Sequence, residues 1–454
     1  MNRDTDSPED GFAVDERCDV VVIGGGPAGS TVAPLLAQRG WRVLQLEKDH
    51  HPRFHIGESL LPMNLEIFEQ LGVLDKVAAL GVLKPGAEFN LAQDGQSHAL
   101  TYYFRDALNP YVDHAYQVRR SEFDEMLFRN SAEKGVDARE GVQVLDVDFR
   151  PGLPSLVHVR DAQGQRRVIE ARYLVDTSGR DTFLSRKLGF KRRHPRHNSA
   201  AVFGHFTDVT RRPGADAGNI SIYWFEHGWF WMIPLRDGSM SVGAVCWPEY
   251  IKSRQGSLTD FLWDTIRQCA PVYERMKDAT LIDNEARATG NYAYVSTRMH
   301  GPGYLLVGDA FAFVDPVFSS GVYLAMNSAR LAVDVVDGTL RDPARETVLQ
   351  KAYEKRVRTA IRRFSWFIFR FTSPVMRWLF MHPSHAMKMQ SAVITLLAGD
   401  VFGRTRTTVP ILAFRSIYYG FSALRLRQTL PAWWRRVRNR REAFSGGTTS
   451  QDTQ

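Results

Sequence analysis

Apolar runs and helical spacing alternate along the first part of the chain. Residues 18–24 form a continuous apolar run, typical of a buried parallel strand, and residues 25–39 contain a glycine-rich turn followed by a helical segment. Helical spacing returns at residues 63–70 and 121–134. A second apolar run at residues 41–46 completes the pattern, so the chain is predicted to begin with a βαβ unit.

Two later regions have the patterns of antiparallel strands. Residues 142–175 contain three alternating segments, which predict a β-meander. Residues 197–247 contain four short strand patterns separated by turns. These four strands predict an antiparallel sheet that forms a separate layer facing the substrate.

The remainder of the chain is predicted to be mainly helical. A buried strand at residues 303–310 precedes a helix at 321–336, and helical stretches then run from 344 to 444. The most apolar stretch there, residues 391–399, is far shorter than the roughly 18 residues that cross a membrane. We therefore predict an α/β chain with α+β character and no transmembrane helix. Interruptions of the helices are expected near Pro374, Pro383, Pro410 and Pro431.

Composition is that of a globular protein. The 454 residues are 44% hydrophobic and 24% charged, enough for two or three domains with a large core. The three cysteines (Cys18, Cys246 and Cys269) lack the spacing of a metal site or a disulfide framework, which favours a reducing cytoplasm and no bound metal. The acidic start of the chain has no apolar core, so we expect no secretory signal.

Charge is distributed unevenly. The net charge is +8, yet residues 351–445 alone carry 19 Lys and Arg against three acids, so the rest of the chain is mildly acidic. This basic, aromatic-rich region is open to three interpretations: a solvated helical face, a docking face for an acidic protein, or a contact with an anionic membrane surface. Nucleic acid is not expected, because no binding motif accompanies the charge.

A glycine fingerprint, Gly24-x-Gly26-x-x-Gly29, follows the first strand and opens the first helix. The three glycines permit a tight turn, close approach of a pyrophosphate, and close packing of helix on strand, with the anion at the helix N-terminus. Glu47 ends the second strand, where an acid can accept a hydrogen bond from a ribose hydroxyl. The pattern predicts a dinucleotide site, and a purely structural glycine turn is the alternative.

The fingerprint occurs once, which leaves no second unit for a nicotinamide dinucleotide. Asp309, at the end of the predicted strand 303–310, could accept a hydrogen bond from a polyol such as the ribityl chain of FAD, or could simply cap a turn. Arg120 could neutralise the phosphates, although an arginine alone is more often a surface residue. FAD is therefore the favoured dinucleotide.

Four further motifs, in order with the fingerprint, resemble the flavoprotein-monooxygenase superfamily: FHIGESLLP at 54–62, VRRSEFDEML, LVDTSGR at 174–180 and VGDAFAFVDPVFSSG at 307–321. The resemblance implies a glutathione-reductase-type FAD-binding Rossmann domain at 18–185 and 290–345 and an antiparallel-sheet substrate domain at 186–289. A basic helical region at 346–445 and disordered tails at 1–17 and 446–454 complete the expected organisation. Further positions implied to contact FAD are Ala28, Lys48, Arg53, Gly57, Glu58, Ser59, Pro316 and Gly321.

Two motifs resemble signatures of the flavin-dependent halogenases within this superfamily. They are Trp229-x-Trp231-x-Ile233-Pro234 and Phe313-x-x-Pro316-x-x-Ser319-x-Gly321. The resemblance implies that the two tryptophans separate substrate from flavin. It also implies that the Ser319 loop is catalytic and that the amides of Ser320 and Gly321 hold a halide. Taken alone, the tryptophan motif could be an aromatic strand of a sheet core.

Lys84 aligns with the active-site lysine of the halogenases, although an arbitrary lysine is usually solvated. Tryptophan-type members have a glutamate three residues before the loop glycine, and this chain has Phe318 there. The resemblance therefore implies the branch that acts on phenols, pyrroles and carrier-bound aromatic acyl groups.

The resemblance implies an FADH2-dependent halogenase that installs chlorine or bromine on an electron-rich aromatic ring. Its expected route uses O2, a flavin hydroperoxide, hypohalous acid and Lys84, with FADH2 supplied by a separate flavin reductase. The expected partner is an acyl or peptidyl carrier protein, with peripheral membrane contact as an alternative. An FAD-dependent aromatic hydroxylase, a geranylgeranyl-reductase-like flavoprotein and a non-enzymatic flavin-binding protein remain open as other functions.

Overall fold

The computed structural model describes residues 14–93, 96–109, 111, 113–194, 198–290 and 293–441. The predicted tail at 446–454 and most of the one at 1–17 lie outside these ranges.

The strands are β1 (Glu16–Ile23), β2 (Val43–Leu46), β3 (Val82–Lys84), β4 (Gly86–Gln93), β5 (Gln96–Tyr103), β6 (Ala115–Gln117), β7 (Asp137–Arg139), β8 (Gln143–Asp148), β9 (Ser155–Arg160), β10 (Arg166–Asp176), β11 (Lys191–Arg193), β12 (Ala200–Thr207), β13 (Ile220–Phe225), β14 (Gly228–Pro234), β15 (Met240–Cys246), β16 (Thr280–Leu281), β17 (Arg287–Thr289), β18 (Tyr294–Ser296), β19 (His300–Gly301), β20 (Tyr304–Leu306) and β21 (Ala312–Phe313).

The helices include every predicted helical segment. They are α1 (Gly29–Ala37), α2 (Leu65–Leu71), α3 (Leu74–Leu80), α4 (Arg120–Glu133), α5 (Phe183–Lys187), α6 (Pro248–Lys252), α7 (Leu258–Arg267), α8 (Ala270–Met276), α9 (Ser320–Arg341), α10 (Glu346–Ile368), α11 (Pro374–Met381), α12 (Met389–Leu397), α13 (Thr408–Leu424) and α14 (Leu426–Arg441). Within the described ranges, no helix combines the length and apolar character needed to cross a bilayer.

The first sheet is built on the parallel strands β20-β10-β1-β2-β7, with β19 paired antiparallel to β20 at one edge and β9, then β8, attached to β10. In β1, Val20, Val21 and Val22 are fully buried, as expected for a strand covered on both faces. β8, β9 and β10 pair antiparallel, which confirms the predicted meander. The strand β1 begins at Glu16, so the prediction of a disordered tail through residue 17 was wrong at its last two residues.

The second sheet has the order β16-β12-β15-β14-β13-β4-β5, with β17 also paired to β12. It contains the four predicted strands and is larger than predicted, because the hairpin of β4 and β5 joins it from the first part of the chain. β4 pairs parallel with β13, so the sheet is mixed, whereas it was predicted to be antiparallel. Both faces of this sheet are covered. Helices α7 and α8 pack on one face, and the C-terminal helices and the hydrophobic core that contains the first sheet pack on the other.

The C-terminal region is helical as predicted, and its prolines act in different ways. Pro374 begins α11, and Pro383 lies between α11 and α12, as expected. Pro410 lies in the first turn of α13, where its missing N–H costs no intrahelical bond. The predicted break near Pro431 is wrong, because α14 continues through it and the chain instead bends at Arg425.

Candidate active site

The three fingerprint glycines lie at the carboxyl end of β1. Gly24 has φ of 113°, and a Cβ there would lie 2.6 Å from the carbonyl oxygen of Thr177. A Cβ on Gly29 would lie 2.1 Å from the carbonyl oxygen of Gly24, so α1 can pack on the strand only because residue 29 has no side chain. At Gly26 the space is open, and the nearest atom, Nη2 of Arg53, would be 3.8 Å from a Cβ. The structure therefore leaves a space in front of Gly26, faced by a cation.

Glu47, at the end of β2, is buried and closes one side of this cradle. Its Oε2 accepts hydrogen bonds from the backbone N–H of Gly25 at 2.7 Å and from Nη2 of Arg53 at 3.2 Å. A Cβ on Gly25 would lie 2.8 Å from the ring of Phe128, so this fourth glycine is also required. The sequence analysis did not single out Gly25, although it lies within the fingerprint.

Arg120 and Asp124 form a buried two-pronged ion pair at the start of α4, with both N–O distances at 2.8 Å. Although burial opposes ionisation, Arg120 holds the pKa of Asp124 below its usual value. Nη1 of Arg120 also donates to the carbonyl oxygen of Ile56 at 2.9 Å and reaches that of Gly57 at 3.4 Å. Arg120 thus fixes the start of the segment Gly57-Glu58-Ser59, which we name the GES segment.

Lys48 and Arg53, the other two cations implied to contact FAD, differ in placement. Lys48 pairs with Asp181 at 2.8 Å on the surface. Arg53 lies between Glu47 and Asp124, and its buried Nε has no hydrogen-bond partner among the described residues. A pyrophosphate in front of Gly26 would therefore meet Arg53 and the first-turn N–H groups of α1, which is the donor set that a dinucleotide requires.

Asp309 follows β20 at a turn where Gly308 has φ of 60°. Its backbone carbonyl accepts a hydrogen bond from the hydroxyl of Tyr294 at 2.8 Å. Burial raises the pKa of the Asp309 carboxyl to about 6, against the opposite influence of Arg180 and Arg120. The carboxyl of this half-buried residue thus lies near two guanidinium groups, at the same end of the first sheet as the glycine cradle.

Lys84 is buried at the end of β3, with 1% of its surface exposed. Its ammonium donates to Oγ of Ser59 at 2.8 Å and to the carbonyl oxygen of Leu60 at 2.9 Å, and it lies 5.4 Å from the ring centre of Phe104. None of the described acidic side chains forms an ion pair with it. Burial lowers the pKa of Lys84 to about 7, so this amine releases its proton far more readily than a solvated lysine does.

Glu58 and His205 join the GES segment to the second sheet. Oε1 of Glu58 lies 2.7 Å from Nε2 of His205, and Oε2 is buried with no hydrogen-bond partner in the described part of the chain. His205 was not among the predicted site residues. Its signal was the two-residue period of β12, which places His205 on the same face as Ala201 and Phe203.

Trp229 and Trp231 are buried in β14 on the face of the sheet that packs against the C-terminal helices. Their ring centres are 6.0 Å apart, and Trp229 meets Phe371 edge-on at 6.2 Å. Nε1 of Trp231 donates to Oγ of Ser241 at 3.1 Å. A Cβ on Gly243 would lie 2.2 Å from the indole of Trp231, so that glycine makes room for the ring.

The loop before α9 turns sharply at Ser319, which has φ of 54° and donates its N–H to the carbonyl of Pro316 at 2.8 Å. Ser320 and Gly321 then form the first turn of α9, and both line a cavity closed on its other side by α10. Asp315 also lines this cavity, with its carboxylate bound by the N–H of Val317 and the hydroxyl of Ser199.

Phe318, which stands where tryptophan-type halogenases have a glutamate, is buried against the C-terminal helices. Its ring centre lies 5.3 Å from Phe371 and 6.3 Å from Phe380. Phe371 therefore contacts both Phe318 and Trp229, and the three rings form a continuous aromatic wall. No short-range sequence pattern could have identified this role of Phe371, because Phe318 and Trp229 lie more than 50 residues away.

Comparison with known proteins assigns the family. Residues 17–365 match the model of an FAD binding domain. The chain is 34% identical over 375 residues to the flavin-dependent halogenase armH2 of Armillaria mellea, covering 77% of this chain and 71% of that protein. It is 30% identical over 418 residues to a 1H-pyrrole-2-carbonyl-[peptidyl-carrier protein] chlorinase of Pseudomonas fluorescens, covering 87% and 92% of the two chains. The chain belongs to the flavin-dependent halogenases.

Solved structures support the same assignment. This halogenase resembles the myxobacterial chondrochloren halogenase CndH, with a TM-score of 0.73 and 38% identity over 78% of this chain and 82% of that one. It also resembles the flavin-dependent brominase Bmp2, with a TM-score of 0.78 and 26% identity over 88% and 98% of the two chains. The predicted FAD-binding fold is thereby confirmed, and the chain is an FAD-dependent enzyme.

The halogenase brings most of the predicted residues into three groups. The fingerprint glycines, Ala28, Glu47 and Arg53 form the dinucleotide cradle, and this set fits FAD. Lys84 and Ser59 form a second group. The third consists of Pro316, Ser319, Ser320 and Gly321. Lys48 is bound to Asp181 at the surface, and Arg120 is neutralised by Asp124, so their roles toward FAD stay predictions.

Proposed function

We propose that this halogenase installs chlorine or bromine on an electron-rich aromatic ring, a phenol, pyrrole or aryl-acyl group, that is carried as a thioester on a carrier protein. The observation that carries the proposal is Lys84: a buried lysine with a pKa near 7, held by two neutral oxygens and no acid. Such an amine can receive a halogen from an oxidised halide and deliver it to a ring.

Reduced FAD and O2 supply the two-electron oxidation that converts halide to hypohalous acid. The uncharged amine of Lys84 then attacks the halogen of hypohalous acid, so that an N–X bond forms, the O–X bond breaks and water leaves. The ring displaces the amine from the halogen, and loss of the ring proton restores aromaticity and the free amine. A lysine that stayed protonated could only orient hypohalous acid by donating a hydrogen bond to it.

Halide is proposed to lie at the N–H groups of Ser320 and Gly321. The left-handed turn at Ser319 starts α9 directly at these residues, where unpaired N–H groups and the helix dipole favour an anion. Both residues line the cavity under α10, which gives a halide space at this helix end.

The aromatic wall is proposed to keep water and ring substrate away from the flavin. Trp229, Phe371 and Phe318 are buried, and Phe371 contacts both of the other rings, so this side of the site offers hydrocarbon rather than hydrogen bonds. Phe318 provides no carboxylate to assist ring deprotonation, so substrates whose own hydroxyl or N–H activates the ring are favoured. Excluding water also preserves hypohalous acid until it reaches the amine.

Two partners are proposed. A separate flavin reductase supplies FADH2, since the chain contains a single dinucleotide fingerprint. A carrier protein presents the substrate, in line with the activity named for the Pseudomonas fluorescens relative, which aligns over 92% of its length. Genes for both are expected beside the gene for this chain.

The test is a reconstituted reaction of the chain with a flavin reductase, NADH, FAD and bromide or chloride. Pyrrole-2-carboxyl and 4-hydroxybenzoyl groups are offered as free acids and as carrier thioesters, and products are identified by halogen isotope patterns. We expect halogenated carrier-bound product. Lys84→Met should reduce it at least about 1,000-fold while keeping bound FAD and releasing hypohalous acid to a chemical trap.

The matched control is Lys191→Met, since burial also lowers the pKa of Lys191, to about 8, at a different place on the protein. It should retain turnover. Normal turnover by Lys84→Met would show that the amine takes no part in the mechanism. Turnover of the free acid equal to that of the carrier thioester would show that no carrier protein is needed. A hydroxylated product formed without halide would overturn the proposal.

A further inference from the structure

The last two described helices expose an apolar surface that the proposed chemistry does not use. Eight large apolar side chains on α13 and α14 are exposed, with Leu424 at 84% and Trp434 at 62%. We name this surface the C-terminal ridge: Val409, Leu412, Tyr419, Leu424, Leu426, Leu430, Trp433 and Trp434.

α13 is apolar on two opposite sides. Ile411, Phe414 and Tyr418 are buried against the body of the protein, at the spacing of one helix face. The opposite face is exposed and has no charged residue over about four turns, whereas a helix face in water normally carries charge. An uncharged face of this length marks a contact with a partner. The residues of this outer face are Val409, Leu412, Ser416, Tyr419, Gly420 and Ala423.

Charge identifies the kind of partner. Residues 401–441 contain ten arginines and no Asp, Glu, Lys or His. A second copy of the chain would bring the same positive charge to the contact and be repelled. Trp433 and Trp434 lie together, with ring centres 4.8 Å apart, directly before Arg435 and Arg436 in the sequence. Tryptophan and tyrosine beside arginine are the residues that occupy the boundary between lipid headgroups and acyl chains.

We propose that the C-terminal ridge binds the surface of an anionic phospholipid bilayer. The apolar side chains of α13 and α14 enter the headgroup region, and the arginines neutralise lipid phosphates. An acidic carrier protein would satisfy the charge. It would not supply the acyl layer that suits eight exposed apolar side chains beside arginines, so the observations favour lipid. The enzyme would act beside a membrane without crossing it, in agreement with the absence of a spanning helix among the described residues.

The test is flotation of the full-length, FAD-loaded protein with vesicles of phosphatidylcholine alone or with 30 mol% phosphatidylglycerol. We expect binding to the anionic vesicles at least about tenfold tighter than to the neutral ones, weakening as salt is raised. Tryptophan fluorescence should shift to shorter wavelength on binding.

The ridge variant Leu412→Ser with Trp434→Ser should weaken binding to anionic vesicles about tenfold or more. Its melting temperature, FAD content and halogenation of a soluble substrate should stay unchanged, because both side chains are exposed and neither is among the residues of the proposed site. The matched control, Val348→Ser, removes a 71% exposed apolar side chain from α10 and should bind vesicles normally.

Three results would overturn the proposal. They are equal binding to neutral and anionic vesicles, vesicle binding by the ridge variant as tight as that of the unchanged protein, and a ridge-dependent complex with carrier protein or with a second copy that forms without lipid. If the unchanged protein halogenated none of the offered substrates, that result would instead count against the proposed function. The two proposals therefore fail separately.

Discussion

The dinucleotide cradle and the Lys84 pocket are both buried, yet they treat charge in opposite ways. In the cradle each buried charge has an opposite partner: Arg120 with Asp124, and Arg53 with Glu47. Around Lys84, the hydrogen-bond partners of the ammonium among the described residues are two neutral oxygens, those of Ser59 and Leu60. The cradle can therefore bind a charged ligand in a fixed position, whereas the surroundings of Lys84 favour deprotonation of its ammonium.

The difference has an energetic consequence. The partner of a buried paired charge offsets much of the cost of removing that charge from water, whereas an unpaired buried lysine opposes folding wherever the unfolded chain keeps the proton. The protein therefore sustains a local destabilisation at the residue proposed to carry the chemistry.

The largest effect is expected from Gly29→Ala. Its new Cβ would lie 2.1 Å from the carbonyl oxygen of Gly24, so helix and strand would have to separate. We expect a loss of about 4 kcal/mol or more in the free energy of unfolding and little soluble FAD-loaded protein. Gly420→Ala, where nothing lies within 4 Å, is the control and should leave the melting temperature unchanged or raised. A normal melting temperature for Gly29→Ala would show that the close packing is unimportant.

Gly26→Val separates cofactor binding from folding. Only Arg53 lies near the position of its Cβ, so the protein without FAD should melt within about 2 °C of the unchanged protein. The valine would fill the space proposed for the pyrophosphate, and the dissociation constant of FAD should rise about 100-fold, or about 3 kcal/mol. Fluorescence titration of FAD measures this, and unchanged affinity would contradict the phosphate assignment.

Lys84→Met should make stability less dependent on pH. The unfolded chain keeps its proton up to about pH 10.5 and the folded protein releases it near pH 7, so rising pH stabilises the unchanged protein between these values. Between pH 7 and 8.5 its free energy of unfolding should rise by about 2 kcal/mol relative to Lys84→Met. The variant should be the more stable protein at pH 7. Urea unfolding at several pH values tests this, and parallel pH curves would show that Lys84 has an ordinary pKa.

The smallest effect is expected from Ser59→Ala. The Ser59 hydroxyl accepts a hydrogen bond from the ammonium and favours its charged form, so its removal should lower the pKa of Lys84 further. We measure the halogenation rate against pH in single turnovers with FAD-loaded protein. The pH at which this rate falls on the acidic side should decrease by about one unit. Ser59→Thr keeps the hydroxyl and should not shift it. An upward shift would mean that Ser59 does not stabilise the ammonium.

The sequence predicted the cradle well because its determinants are local. The buried run of β1, the glycines and Glu47 lie within about 30 residues of one another, and each acts on its neighbours in the chain. The family resemblance located Lys84. No residue pattern near it indicated that it would be buried, because Phe104 and the Ser59 segment reach it from separate parts of the chain.

The parts that the sequence missed depend on distant pairings. The hairpin of β4 and β5 has an ordinary strand pattern, and nothing in it indicates that β4 pairs with β13, about 130 residues later. His205 and Phe371 gain their significance only from partners in other elements, Glu58 and Trp229. Pro431 was misread because a proline weakens a helix without always ending it.

Lys84 lies at a short junction between two sheets. It is the last residue of β3, which pairs with β6, and after Pro85 the chain enters β4 of the large mixed sheet. The carbonyl of Pro85 is itself held by the N–H of Phe104, and proline has a fixed backbone angle, so this junction has little freedom. A small rotation of one sheet against the other must therefore displace the amine. We therefore expect substitutions far from the site to change the reaction rate if they alter the orientation of the large mixed sheet relative to β3 and β6, even though they contact neither substrate nor cofactor.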